Sequence, residues 1–518
     1  MCAEMTNAMR RASSRGRSVC TVLALVLGAT AADAAPTATP TALDRANRAF
    51  DAEQWEPAAI ALEEVTRTGE PWEREIADWE LAIALFRLHL PVAAFARFSA
   101  IADHPNHARF HETLRWMVAL SLALPEPADV AERIGKWDRS ELDRVTATDR
   151  ATYANLRFAT ARDDYVAGRY ERALTALADV TADSPTWTKA QLFCAAANVQ
   201  LRRSAPALAC LHAAEGTNDP VLRDVTKLAL ARTLYSDSFR LGEGNAPTID
   251  RAQLDAAIAA WSSVDRTSPL WLDALAEQAW AYFMERDDAR ALGNLHTLDA
   301  PFFADAYFPD AWLLRALVEA TNCQWESATT TALAFQRRHL PIEAELAHEI
   351  ARLEGPEGER LALAFVEDAN AGRAALPAVR RLARDRPLAR EAEWLHFIDA
   401  ERARVDAAPA LRAGPLHAVV ADALDLARAL ASAELGRHVR RALRDEHTTL
   451  ERDLRESAAL LIALPSLMAG GRAPPGAGSA APRAIVVDPE HVKWPFDGEF
   501  WRDELGFYRV AVEPRCAR

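Results

Sequence analysis

The sequence predicts an all-α protein: a solenoid of helical hairpins, then a long-helix hairpin or coiled coil, then an aromatic C-terminal tail docked on the array. Three observations carry this. Ala173, Leu177, Val180, Ser184, Pro185 and Trp187 recur at the same offsets as Ala257, Trp261, Val264, Ser268, Pro269 and Trp271. Ala207 follows Ala173 by 34 residues, and Ala291 follows Ala257 by the same step. A fixed period of that size marks stacked helix pairs, since one pair cannot bury its apolar face alone. Finally, Leu416, Val420, Leu424, Ala427, Leu430, Leu435, Val439, Leu443, Leu450 and Leu454 recur mostly at spacings of three, four and seven, which lines one face of a long helix.

The chain opens with Arg10, Arg11, Arg15 and Arg17, an apolar run from Val19 to Leu27 and the small-residue site Ala32-Asp33-Ala34. That order of charged, apolar and small segments predicts a secretory signal peptide over residues 1–34. Residues 35–41 form an Ala/Pro/Thr-rich disordered lead-in. The apolar run is too short for a stable membrane span, and the later stretch Ala458–Ala469 is short and holds Pro465. No integral membrane segment is expected in the mature chain.

Residues 42–340 predict about eight helix pairs. Ala46 and Phe50 lie on a first helix, Trp55 at the turn, and Ala58 and Leu62 on the second helix. Ala82, Leu85, Ala94 and Phe98 give the next pair, closed by Pro105, which cannot continue a helix. A looser pair spans 114–134. The pairs at 153–180, 190–214, 222–264, 272–298 and 311–335 follow. Ala58, Ala94, Ala173, Ala207, Ala257, Ala291 and Ala328 are the predicted close-packing positions, because a small side chain lets helices cross at short range. Residues 237–250 insert extra chain into one repeat, where insertions map to loops. The turn Asp299–Pro309 carries Phe302, Phe303, Tyr307 and Phe308, which are expected to seal the stack.

Residues 341–469 read as a charged helical and coiled-coil region. Arg380, Arg381, Arg384 and Arg386 oppose scattered acids there. A Gly/Pro/Ala linker covers 470–484. Residues 485–518 form an aromatic segment too apolar for a free tail, with Trp494, Phe496, Phe500, Trp501 and Tyr508 as docking residues.

Cys194, Cys210, Cys323 and Cys516 survive signal cleavage, and an even number in an exported chain permits disulfides. Cys194 and Cys210 fall on the two helices of one pair, nearly equidistant from the turn at 202–204; they form a bridge or remain two buried thiols. Cys516 near the chain end would be an exposed thiol unless tied down. Cys323 lies in the last clear repeat, where a bare apolar end needs a cap. A Cys323–Cys516 bridge is therefore expected to pin the tail and bury Trp494, Phe500 and Trp501.

The composition narrows the function. The chain has 518 residues, half of them hydrophobic, and a formal net charge of −14. An acidic surface repels nucleic-acid phosphates, so no nucleic-acid partner is expected. No phosphate loop, nucleotide fingerprint, nucleophile elbow or H-E-x-x-H is present. His104, His107, His111 and Glu112 read as helix-start residues beside Pro105 rather than metal ligands, and Glu63-Glu64 as a solvated face. No catalytic, cofactor-binding or metal residue is predicted, so the chain reads as no enzyme and needs no cofactor.

The alanine pattern and the 34-residue period resemble the tetratricopeptide repeat family over residues 42–340, and the tail is similar to the ends of exported repeat proteins of gliding, predatory Gram-negative bacteria. The arginine-rich, lysine-poor, alanine-rich composition fits a GC-rich bacterial genome. The resemblance implies a periplasmic scaffold or adaptor that binds other cell-envelope proteins in envelope assembly, cell-wall coordination, secretion or surface motility. The alternative is a structural subunit that self-associates through the long C-terminal helix.

Overall fold

The computed structural model describes residues 41–125, 150–241, 247–470 and 492–516, apart from 356, 375, 376, 384, 385, 413 and 494, together with residues 133, 140 and 144. Residues 1–34, where a signal peptide is expected, residues 35–40, most of the second helix expected near 128–134, Arg384, the expected linker from residue 471 and Trp494 lie outside the described residues. Residues 42–518 belong to one compact unit.

The unit is built of helices. The N-terminal pairs are α1 (Ala42–Asp51) with α2 (Trp55–Thr68) and α3 (Pro71–Arg87) with α4 (Pro91–Ala102). α5 (Phe110–Ala123) follows. Next come α6 (Arg150–Val166) with α7 (Tyr170–Leu177), α8 (Trp187–Gln200) with α9 (Ser204–Ala214), and α10 (Pro220–Ser238) with α11 (Arg251–Ser262). α12 (Trp271–Met284) pairs with α13 (Asp288–Leu298), and α14 (Pro309–Thr321) with α15 (Trp325–Glu354). Within each pair the helices pack on each other. First helices also touch the next first helix in α1/α3, α6/α8, α8/α10 and α12/α14.

One local design recurs at the turn inside the pairs. Glu53, His89, Gly168, Arg202, Arg286 and Cys323 all take left-handed backbone, and so does Gly372 in a later turn. In each case this residue's N–H reaches back to the carbonyl three residues earlier, and the next N–H reaches the one five before itself, as in Arg202 to Val199 and Arg203 to Asn198. These bonds satisfy carbonyls that a helix end otherwise orphans.

The seven predicted alanines are all fully buried. Six of them sit at the fourth residue of a second helix, and their N–H closes its first turn, as Ala173 to Arg169 and Ala291 to Asp287. Ala257 departs because the insertion reshapes that start. There α10 leads into a short antiparallel ribbon, β1 (Phe239–Leu241) against β2 (Pro247–Ile249), and Asp250 caps α11 through the Ala252 and Gln253 N–H groups. This ribbon is the one departure from helix among the described paired elements.

The entry to a first helix recurs as well. Ser184 Oγ accepts from Thr186 N, and Ser268 Oγ from Leu270 N. His107 Nδ1 accepts from Arg109 N in the same place (3.1 Å). His107 thus serves as a turn acceptor, while Glu112 pairs with Arg109. Among the described residues no group of three or more acids, histidines or cysteines could hold a metal ion.

Beyond the pairs the structure differs from a separate coiled coil. α15 runs through residue 340 without a break, so the expected boundary falls inside a helix. α16 (Gly358–Asn370), α17 (Pro377–Ala383), α18 (Arg386–Ala407) and α19 (Pro409–Arg412) lead to α20 (Pro415–Gly470). α20 packs on α15, α18, α16 and α14, and also on α2 and α4 at the other end of the sequence. Its buried stripe of Leu416, Val420, Leu424, Leu435, Val439, Leu443, Leu450 and Leu454 joins the N-terminal pairs in one core. Leu430 lies outside that stripe and is exposed, as is Leu426 one turn earlier in the helix.

Glu63 also corrects an expectation. It is buried, and its carboxylate takes Arg97 of α4 at 3.0 Å. A buried carboxylate needs such a partner. Among the described residues no helix is long and apolar enough to cross a membrane.

Candidate functional site

The most distinctive surface lies where the tail meets α12, α13 and α14. Its construction begins with backbone access. The Cβ of any residue replacing Gly293 on α13 would stand 1.8 Å from the Tyr508 carbonyl oxygen, so only glycine lets the tail backbone lie there. Gly506 takes φ +87° with a would-be Cβ at 2.9 Å from the Trp271 ring. Both glycines are therefore required by close approach.

The tail is then bonded in order. Gly506 N–H donates to Thr297 Oγ1 (2.9 Å), Val510 N–H to the Ala289 carbonyl (3.0 Å) and Arg515 N–H to the Asn322 carbonyl (2.9 Å). Arg266 donates to the carbonyls of Arg502 and Asp503 at 2.9 and 3.1 Å. Asn322 also donates its side-chain amide to Asp288, 34 residues earlier (2.8 Å), which ties two successive pairs beneath the strap. Burial pushes the Asp288 carboxyl above its ordinary range.

Leu505 and Tyr508 enter the core shared by α12–α14, with Phe500, Val510 and Val512 packed at its edge. The Tyr508 hydroxyl accepts from Trp501 N–H at 2.8 Å, which closes a compact loop over residues 501–508. His296 gathers Phe496, Phe500 and Tyr508 around its ring at 4.5, 4.5 and 5.1 Å. Burial, and secondarily the Arg315 charge, hold this histidine below its usual pKa, which favours its neutral form.

The burial expected for the tail is corrected in one respect. Phe500 is half-buried, but Trp501 is 43 % exposed and Phe496 52 % exposed. The apolar ground beside Trp271 and Leu275 is taken by Leu505 and Tyr508, which leaves Trp501 turned outward. Phe302 and Phe507 are exposed as well, at 45 % and 65 %. Arginines lie against Phe302 and Phe507. Arg266 lies between Trp271 and Phe507, 5.6 and 5.3 Å from their centroids, and Arg502 lies 4.8 Å from Phe302. The result is a surface of ordered aromatic rings and guanidinium groups on an otherwise acidic chain. Such contacts gain energy from the ring quadrupole.

The cysteines fall into two pairs. Cys323 and Cys516 Sγ atoms lie 2.07 Å apart, at disulfide-bonding distance, and join the strap end to the turn between α14 and α15. Cys194 on α8 and Cys210 on α9 lie at the same kind of distance, 2.10 Å. The strap does not cap a bare end of the array, as the sequence suggested. That end continues into α15 and is covered by α20, and the strap instead runs along the turns of α12/α13 and α14/α15.

The loop between α13 and α14 meets the C-terminal helices at a second polar cluster. Tyr307 is buried there, and its hydroxyl is pushed up by burial and by the Glu446 carboxylate. Arg381 donates to the Tyr307 carbonyl (2.8 Å) and lies over Phe308. Arg380 pairs with Asp305 at 2.8 Å. This cluster joins the loop to α17 and α20.

A third feature escaped the sequence reading. Glu401 of α18 is fully buried and accepts the N–H groups of Val92 and Ala93, both at 2.9 Å. It caps α4 from 308 and 309 residues away. No sequence signal marks it, because a glutamate in a charged helix looks like any solvated acid.

No family model matches the chain, and no curated protein matches it. Its class thus rests on the fold itself: an all-helical protein of consecutively packed helix pairs, threaded by one long helix.

Proposed function

We propose that this chain is an exported, non-catalytic scaffold of the Gram-negative cell envelope, whose tetratricopeptide-like solenoid binds other envelope proteins. The observation that carries the reading is the ordered surface of Phe302, Phe496, Trp501 and Phe507 with Arg266 and Arg502. Exposed aromatic rings and arginines are the residue types that dominate binding energy at protein interfaces. Two cysteine pairs at bonding distance favour an oxidising compartment such as the periplasm. Stacked helix pairs favour an extended surface over an enclosed pocket. Self-assembly through the apolar stripe of α20 is the weaker reading, since that stripe is covered by helices of the same chain.

The test is cross-linking and pull-down from intact cells with the native chain and with a Trp501→Ala/Phe507→Ala double variant. A heterologous envelope protein should be recovered with the native chain, and roughly tenfold less with the variant. Recovery of self-cross-links alone would favour the structural-subunit reading. Sequencing of the protein from the envelope fraction should find Ala35 at the N-terminus; an intact 1–34 segment would make it a membrane anchor instead.

A further inference from the structure

We infer that the Cys323–Cys516 pair is a redox latch on the outer half of the C-terminal strap. The strap divides at Tyr508. Before it, Leu505 and Tyr508 are buried in the repeat core, and Gly506 bonds to Thr297. After it, residues 509, 511 and 513–515 are exposed, and only Val510 and Val512 pack at the core edge. What holds this outer half is a short set of hydrogen bonds, Val510 to Ala289, Arg515 to Asn322 and Gln324 to the Glu513 carbonyl (3.3 Å), together with the sulfur bridge at its end. Only the Gln324–Glu513 bond is exposed, since Ala289 and Asn322 are buried, but a set of so few bonds on a mostly exposed segment opens by local fluctuation. The inner half is anchored by two buried side chains, whereas the outer half has only half-buried valines, these bonds and the bridge.

The latch is placed to be opened. Cys323 is buried in the turn, whereas Cys516 is half-buried at the strap end. A thiolate of a dithiol reductant therefore reaches the Cys516 sulfur and displaces Cys323. The second thiol of the reductant then attacks the mixed disulfide and frees Cys516. Two electrons pass from the dithiol to the pair, each cysteine sulfur takes up a proton, and the reductant leaves as its own disulfide. Freed at its end, the strap from 509 onward lifts from the turns of α12/α13 and α14/α15. That uncovers the Ala289 and Asn322 carbonyls and opens solvent access toward the Asp288–Asn322 contact. The other pair differs in placement, because Cys194 and Cys210 join two helices that already pack along their length.

The test is amide hydrogen exchange on the full chain in three forms: oxidised, reduced with dithiothreitol, and Cys516→Ser, which leaves Cys194–Cys210 intact. The Val510 and Arg515 amides should exchange roughly tenfold or more faster in the reduced and Cys516→Ser forms. The Gly506 amide and those of α12–α14 should hold their protection, and reoxidation should restore the first form. Unchanged Val510 and Arg515 exchange would overturn the latch. So would joint loss of protection across α12–α14, which would make the bridge a structural staple. A Cys516 thiol that stays free after reoxidation would also overturn it.

Discussion

Gly293 sets how close the tail can come. An added methyl would collide with the Tyr508 carbonyl, so Gly293→Ala should cost about 1–3 kcal/mol and loosen the strap, read as a lower melting temperature with faster Gly506 exchange. Glu401 shows what burial does to charge. Desolvation, partly offset by the Ala93 and Val92 N–H groups, raises its carboxyl to about 7. Between its unfolded value near 4.5 and about 7 the folded state therefore holds a proton that the unfolded state has lost. Stability from this group is present in full below that window and falls as pH rises through it. Burial lowers His339 to about 4, so its neutral form is favoured and its contribution runs the other way, falling as pH drops from about 6.5 through 4. Denaturant midpoints across pH 4–8 should show Glu401→Gln flattening the neutral limb and His339→Leu flattening the acid limb. Neither residue was legible in the sequence as a titrating group, because what shifts it is burial set by the fold, against Val92 and Ala93 for Glu401 and among Tyr307, Trp312 and Phe335 for His339.

At the scale of elements, the second helices were the most legible parts. Ala173 and Ala291 mark them because close crossing admits only a small side chain, and that demand is local and periodic. Ala173→Leu should overpack its crossing by about 1–3 kcal/mol, and an unchanged melting temperature would count against that contact. The long helix was legible as a helix but not in its setting. An apolar stripe at these spacings satisfies a coiled-coil partner and a bed of several helices equally well, and only the fold chooses. Leu443 is fully buried in that bed while Leu430 is not. Leu443→Ala should cost about 2–5 kcal/mol and Leu430→Ala less than about 0.5 kcal/mol, measured by denaturant unfolding. In the tail, aromatic richness was plain, but it reads alike for rings that anchor a strap and rings that face outward. The division between Tyr508 inside and Trp501 outside depends on Gly293 and Gly506, whose role appears only when two distant segments meet.

At the scale of the whole molecule, the array is closed by its own C-terminal half. An open repeat array would behave as a row of nearest-neighbour units, each able to stand with its neighbours alone. Here Ala58, Leu81 and Phe98 near the N-terminus share a core with Leu395, Leu435 and Val439. Glu401 completes the start of α4, whose own N-cap residue Leu90 offers no side-chain acceptor. The 34-residue period reports contacts between neighbours, and so the sequence carries no sign of this long-range closure. Residues 42–340 thus share their core with the C-terminal helices. A chain ending at residue 414, which keeps Glu401 but lacks α20 and the strap, should lose exchange protection first in α2 and α4, against which α20 now packs. Those helices would then expose Leu62, Leu90 and Phe98 to water, at about 25 cal/mol per Å² of apolar surface. Exchange mapping of that truncated chain beside the full one checks this. Native-like protection of α2 and α4 in the truncated chain would mean that the N-terminal pairs hold themselves, and that α20 rests on an array already complete.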